Sequence, residues 1–286
     1  MALRYPDGTA LATVRVSVMS NSIGKLAFVC LTLGALLSTV RNVNADNLLL
    51  LSTGVTANDL AAGAALQSQG HTVTLGPLYS SSFTPDFSGY SGVVLLQNDS
   101  GTGSSLDAAV QTALVNYVNG GGGLLTSDWT NWGMAQYDYS HILQPIMPVA
   151  LDNHYDHAAN LTYTQSTADA ILKPGLPTSF SFAADDVGGT ETYFTAKPGA
   201  TTFYGSSYGA GVIGWNYGAG RVMSLSTLAG PIELADPNYG LLFSNAATWI
   251  QSAAPVPEPS SLALAGLGGI GLAIAKLRRR KAPSAA

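Results

Sequence analysis

Asp152, His154, Asp156 and His157 fall within six residues of one polar stretch, ALDNHYDHAANLTY. Carboxylate oxygens and imidazole nitrogens are common donors to a divalent ion. The spacing supplies no distant third ligand, and a polar surface loop has the same composition, so the chain is expected to hold neither a metal nor a cofactor. A second set, Asp99, Asp128, Trp129 and Trp132, combines carboxylates with indoles. That combination suits a sugar, because carboxylates accept from hydroxyls and indole faces cover the ring. The two aspartates could equally cap the helices that follow them. Gly205-Ser206-Ser207-Tyr208-Gly209 has the outline of a nucleophile elbow, but no helical pattern follows it, which favours an ordinary Gly/Tyr loop.

These residues need elements to hold them. Residues 47–52 (NLLLLS) and 92–97 (GVVLLQ) are continuous apolar runs, as in strands buried on both faces. Residues 71–75 (HTVTL) and 124–127, the latter fed by four glycines, read as further strands. Residues 56–69 have helical composition and end at Gly70, a C-cap residue. Residues 105–119 carry Leu106, Val110, Ala113, Leu114, Tyr117 and Val118 near an i, i+3, i+4 stripe. Strands alternating with helices in this way predict an α/β fold, a doubly wound and mostly parallel sheet with helices on both faces. From 128 to 182 the pattern loosens and reads as an insertion. Strands resume at 191–194, 201–204, 211–215 and 220–226, the last two joined by a Gly-rich hairpin, and a closing helix covers 239–252. In such a sheet, ligands lie beyond the carboxyl ends of the strands. Thr53-Gly54, Asn98-Asp99-Ser100 and Ser127-Asp128-Trp129 fall there.

Charge separates the middle of the chain from its ends. Residues 46–255 contain fifteen acidic side chains against three basic ones (Lys173, Lys197, Arg221), a balance of −12. Such a body repels phosphate backbones, so nucleic acid is not an expected partner. The N-terminal end places Lys25 before a twelve-residue apolar core, residues 26–37 (LAFVCLTLGALL), with Ala45 after a short polar stretch. This is the form of a secretory signal peptide cleaved after Ala45. Met19 is the more natural start of that segment. The one cysteine, Cys30, lies inside it, so the exported body would lack disulfides and a thiol nucleophile.

At the other end stand Pro257-Glu258-Pro259, an apolar run from Leu262 to Ala275, and a basic cluster that includes Arg278, Arg279 and Arg280. Fourteen helical residues rise about 21 Å, short against a hydrocarbon core of about 30 Å. Flanking Arg and Lys extend the reach by snorkelling and keep the tail cytoplasmic. Triplet, run and cluster in this order resemble the PEP-CTERM sorting signal of Gram-negative bacteria. The resemblance implies export across the inner membrane, processing by an exosortase-type enzyme, and a place in the cell envelope, on the surface or in an extracellular, often polysaccharide, matrix. The expected organisation is a signal peptide at 1–45, a domain at 46–252, a Pro-rich linker at 253–259 and a sorting helix with its basic tail at 260–286.

Three stretches of the body carry a second resemblance: the unit ending GGGGLL at 105–125, ADAILKPGLP at 168–177, and VIGWNYGAGRVMSLST at 212–227. They are similar to the flavodoxin-like fold of class I glutamine amidotransferases, in particular the trehalose-utilisation branch. That family's nucleophilic cysteine sits on the turn after a strand, here Thr126-Ser127-Asp128-Trp129. Its histidine follows the penultimate strand, here Ser226-Thr227-Leu228. Neither reactive residue is present, so glutamine hydrolysis is not expected. The resulting expectation is a non-catalytic surface or matrix protein that contacts extracellular polysaccharide. A carbohydrate-active or other hydrolase using Asp128 with the His154/His157 loop is the alternative.

Overall fold

The run NLLLLS forms the first strand, β1 (Asn47–Ser52), with all four leucines buried. Their alternation divides them between two cores: Leu48 and Leu50 face one side of the sheet, Leu49 and Leu51 the other. The structure, a computed structural model, describes residues 47–97 and 105–252. Within these, β1 is joined by β2 (Thr72–Leu78), β3 (Gly92–Leu95), β4 (Gly123–Thr126), β5 (Asn160–Gln165), β6 (Ser179–Ala183), β7 (Thr201–Ser206), β8 (Gly209–Tyr217) and β9 (Gly220–Leu225). The spatial order is β2-β1-β3-β4-β9-β8-β7-β5-β6.

β2, β1, β3, β4 and β9 run parallel. From β9 onward every neighbour is antiparallel. The expected mostly parallel sheet is therefore a mixed one. The expected insertion also dissolves, because residues 128–182 supply a helix and two strands of the main sheet. β5 and β6 bury Leu161, Tyr163, Phe180 and Phe182 while the residues between them are exposed. One covered face and one wet face is the pattern of an antiparallel sheet. On the wet face, Thr162 meets Ser181 at 2.7 Å and Thr164 meets Ser179 at 2.9 Å, cross-strand hydroxyl pairs that hold the register.

The described residues also form five α-helices, α1 (Thr56–Ser68), α2 (Ala108–Asn119), α3 (Asp128–Tyr137), α4 (Pro231–Leu234) and α5 (Pro237–Gln251), and a 3-10 helix at His141–Ile146. α2 begins later than its apolar stripe because the Asp107 carboxylate accepts from the amide of Ala109. α5 starts at a proline, with Asp236 accepting from the amides of Asn238 and Tyr239. α1 and α5 bury Leu66, Leu242, Phe243 and Trp249 on one face, and α2 buries Val110, Leu114 and Val118 on the other. Among the described residues no helix is long and apolar enough to cross a membrane. The expected signal peptide with Ala45, the linker with Pro257, Glu258 and Pro259, and the sorting helix with Arg278, Arg279 and Arg280 lie outside the described residues.

Both ends of the described chain meet at the amino-terminal edge of the parallel strands. Ser91 donates to the Asn47 carbonyl through its amide and its hydroxyl, and it accepts from the Gln251 side chain at 2.8 Å. Arg221 closes the end of α5 by donating to the Trp249 carbonyl at 3.2 Å and to the Ser252 hydroxyl. This crossing is tight. A Cβ on Gly123 would lie 2.4 Å from the Ile250 carbonyl oxygen, whereas one on Gly63, within α1, would meet nothing within 4 Å. Gly123→Ala is therefore expected to cost about 1–3 kcal/mol or more, while Gly63→Ala should be neutral or stabilising by up to about 1 kcal/mol. Paired urea melts would check this, and equal effects at the two sites would refute the close-approach argument.

Candidate functional site

The carboxyl ends of β4 and β9 lie side by side, with Thr126 paired to Ser224 and their hydroxyls 2.8 Å apart. After β4 the chain passes through extended Ser127 directly into α3, so Asp128 opens the helix at the sheet edge. After β9 come Ser226 and Thr227. Over these turns lies a short ladder, Glu191–Thr192 against Tyr155–Asp156. Glu191 bridges back to Thr227, the Thr192 amide donates to the Ser226 carbonyl at 2.8 Å, and the Thr227 hydroxyl donates to the Thr190 carbonyl at 2.6 Å. The ladder is thus tied to the end of β9, and α3 packs against it.

An acidic centre results. The described residues contain two glutamates, Glu191 and Glu233, and each is at most 1% exposed; Asp128 is fully buried. Ser226 donates its hydroxyl to Glu191. Tyr163, 2.9 Å from the same serine oxygen, then completes a line from phenol to hydroxyl to carboxyl. Burial pushes the Glu191 carboxyl up to about 7, against hydrogen bonds from Ser226 and Ser206. Burial also holds Asp128 well above the usual carboxylate range, and the charges of Glu233 and Glu191 raise it further. Glu233 is raised by burial as well, but both its oxygens have structural work, accepting from the amides of Asp185 and Gly230 at the start of α4. The three basic side chains among the described residues are committed elsewhere: Lys173 to Gln165, Lys197 to the Gln144 carbonyl, and Arg221 to the end of α5. With no cation to pair it, a buried carboxyl lowers its cost by holding its proton.

Outside this centre lies a strip of aromatic rings. Trp129, 3% exposed, is its floor. Trp132 stands edge-on to it at 4.9 Å, and Tyr155 at 5.9 Å. Trp132 then meets Tyr137 at 5.4 Å and Tyr155 at 5.9 Å, and Tyr155 meets His157 at 5.4 Å, all close to perpendicular. The Trp132 indole N–H donates to the Asn153 carbonyl at 2.9 Å, and the Asn153 amide to the Gln136 side chain at 2.7 Å. Gly189 passes beneath with φ +152, where a Cβ would lie 2.6 Å from the Tyr155 ring and 2.9 Å from Trp129. The rings are held before any ligand arrives.

Of the residues singled out from sequence, Asp128, Trp129 and Trp132 share α3, the first two buried and the third half-buried. Asp99 lies outside the described residues. His154 and His157 point outward, paired with Asp152 at 2.6 Å and Asp186 at 2.8 Å, while Asp156 turns inward to the Thr190 hydroxyl at 3.0 Å. The histidine loop therefore approaches α3 through Tyr155. Among the described residues no group of three or more His, Asp or Glu could hold a metal ion. Gly205 to Gly209 forms the turn between β7 and β8. Sequence reasoning missed Glu191, Ser226, Tyr163, Tyr155 and Tyr137. One signal was available: glutamate is rare in this body, and each one sits among Gly, Thr or apolar neighbours.

Residues 255–280 match the PEP-CTERM protein-sorting motif. The chain thus carries a signal for export, exosortase processing and association with the cell envelope or surface. No curated protein matches the sequence. Among solved structures, the chain is similar to a cytoplasmic protein from Salmonella typhimurium, with TM-score 0.56 at 14% identity over 73% of this chain and 99% of that one. A second cytoplasmic protein from Salmonella typhimurium LT2 gives TM-score 0.54 at 14% identity, over 71% and 99%. A ThuA-like protein from Parabacteroides merdae gives 0.53 at 14% identity, over 72% and 89%. At these identities the likeness shows an α/β fold shared with these proteins, the ThuA-like one among them, and nothing about activity.

The acidic centre has a consequence for stability. The folded chain keeps a proton on Glu191 up to about pH 7, whereas the unfolded chain releases it near 4.5. The contribution of this group is complete below the lower value and is lost as pH rises towards the upper one. Asp128 and Glu233 shift the same way and steepen the decline. Glu191→Gln should flatten part of that slope, and near pH 8 it should be more stable than the native chain by up to about 3 kcal/mol. Urea unfolding across this range tests the assignment; an unchanged slope would exclude Glu191 as a titrating group.

Proposed function

We propose that this protein is an exported constituent of the bacterial surface or matrix whose amidotransferase-like body binds extracellular polysaccharide without catalysing a reaction on it. One observation carries the reading: the fixed and partly exposed strip of Tyr137, Trp132, Tyr155 and His157 beside the carboxyl ends of the sheet. Aromatic rings with a polar edge suit sugars, which present an apolar ring face bordered by hydroxyls. The position of the chain ends supports it. Ser252, the last described residue before the sorting motif, lies at the amino-terminal edge, with β3, β4 and β9 between it and the strip. Attachment to the membrane or to an exosortase at that edge leaves the strip free.

The body's reactive groups support a binding role over amidotransferase chemistry. Its cysteine count is zero, since Cys30 precedes it. The turn that carries the nucleophile in amidotransferases holds Asp128, fully buried. The hydrolase alternative would need Asp128 to work with His154 or His157, but Asp128 is fully buried while these histidines are exposed and paired with Asp152 and Asp186. Ammonia release from glutamine should stay at background for the purified full-length chain in mild detergent. On a glycan array the same chain should bind, and Trp132→Ala and Tyr155→Ala should each weaken binding by about tenfold or more. Undiminished binding by both variants would refute this site.

A further inference from the structure

The strip's surroundings restrict what kind of polysaccharide it can take, an inference that rests on the polysaccharide reading above. Acidic polysaccharides are held by Arg forks or Lys ammonium groups. Among the described residues the strip has none, because Lys173, Lys197 and Arg221 are committed elsewhere. Its borders are acidic instead. Asp138 follows Tyr137, Asp152 precedes the Trp132-bound Asn153, and Asp186 lies beside His157. A body with a −12 balance adds a repulsive field of the same sign.

Each of these carboxylates also faces a histidine, Asp138 with His141 at 3.8 Å, Asp152 with His154 at 2.6 Å and Asp186 with His157 at 2.8 Å, exposed surface pairs rather than a built charge site. What remains for a ligand is ring surface and hydroxyl chemistry. The exposed large aromatics among the described residues are all tyrosines, Tyr137, Tyr155, Tyr193 and Tyr208, each pairing a face with a phenol. Tyr193 joins the same loop through its amide to the His154 carbonyl at 2.9 Å. Because the rings are already fixed by Asn153 and Gly189, little ordering is required on binding. We propose that the strip is a binding site selective for uncharged over acidic polysaccharide, disfavouring acidic chains by its carboxylate-lined border and the lack of a free basic side chain among the described residues around it.

The test is affinity electrophoresis of the full-length chain in mild detergent, at an ionic strength where exposed charges are screened beyond about 8 Å. The probes are uncharged (dextran, mannan, xyloglucan) and acidic (polygalacturonate). At least one uncharged polysaccharide should bind about tenfold or more tighter than polygalacturonate. That binding should fall on Tyr155→Ala and survive Tyr155→Phe, which keeps the ring and guards against a folding artefact. Asp186→Lys, at an exposed position, should narrow the gap between polygalacturonate and the uncharged chains. Polygalacturonate binding as tightly as every uncharged chain would overturn the selectivity while leaving the polysaccharide reading in place. Binding that ignores Tyr155→Ala would remove the strip as the site. Binding of none of the probes would overturn both readings together.

Discussion

The hydrogen bond from Ser226 to Glu191 is the buried centre of the contacts that join two parts of the chain remote in sequence. Ser226 follows the last parallel strand, and Glu191 lies on a two-residue ladder between longer elements. Through this contact and its flanking backbone bonds, the segment around 190 is fastened across the carboxyl edge of the sheet. The ladder partner of Glu191–Thr192 is Tyr155–Asp156, so fastening one strand carries the other with it. Tyr155 arrives over Gly189 and against Trp129 and Trp132 as a result. The exterior strip therefore depends on a buried carboxyl. A charged carboxylate in that position would be expensive, and the raised proton affinity of Glu191 and Asp128 is the physical form in which the cost is reduced.

The two edges of the sheet do different work because parallel strands make them chemically different. At the amino-terminal edge, glycines allow α2, α5 and the strand starts to cross at backbone contact, and Arg221 closes the last helix over Trp249. It is a packing edge, and the chain enters and leaves there. At the carboxyl edge, each strand hands over to a loop or helix start, so amides, hydroxyls and carboxyls accumulate. The buried polar side chains Thr126, Ser127, Asp128, Thr190, Glu191, Ser226 and Thr227 are gathered there. Ser252, the last described residue before the sorting motif, and the aromatic strip thus lie at opposite edges of one sheet.

Legibility followed the range of the interactions. The α/β alternation, the helices at 56–68 and 108–119 and the closing helix were readable because the period of apolar residues reports which faces each element buries. In the second half of the sheet, the hairpin and its neighbour were expected as strands, but β5 and β6 were missed. NLTYTQ and SFSFA alternate strictly and should have been taken as strands, but they sit among loops in a stretch rich in Asp, Asn and aromatic residues, and their partners are remote in sequence. Asp128, Trp129 and Trp132 were found because a strand end immediately followed by a helix start is a local feature. Glu191 was not, since a lone glutamate next to Thr and Tyr looks like any exposed position.

What the sequence determined by itself was therefore one-dimensional: an apolar core after Lys25, a Pro-Glu-Pro triplet before an apolar run and a basic cluster, a body without cysteine, and the alternation of elements. Signals read by membranes and processing enzymes must be contiguous, because they act on an extended or single-helix segment. Tertiary structure alone decided the mixed sheet, the burial of Glu191 and Asp128 and the juxtaposition of Tyr137, Trp132, Tyr155 and His157. Those depend on which strand edges pair and on what desolvation does to a carboxyl. Both are set by contacts between residues tens of positions apart, which no local pattern encodes.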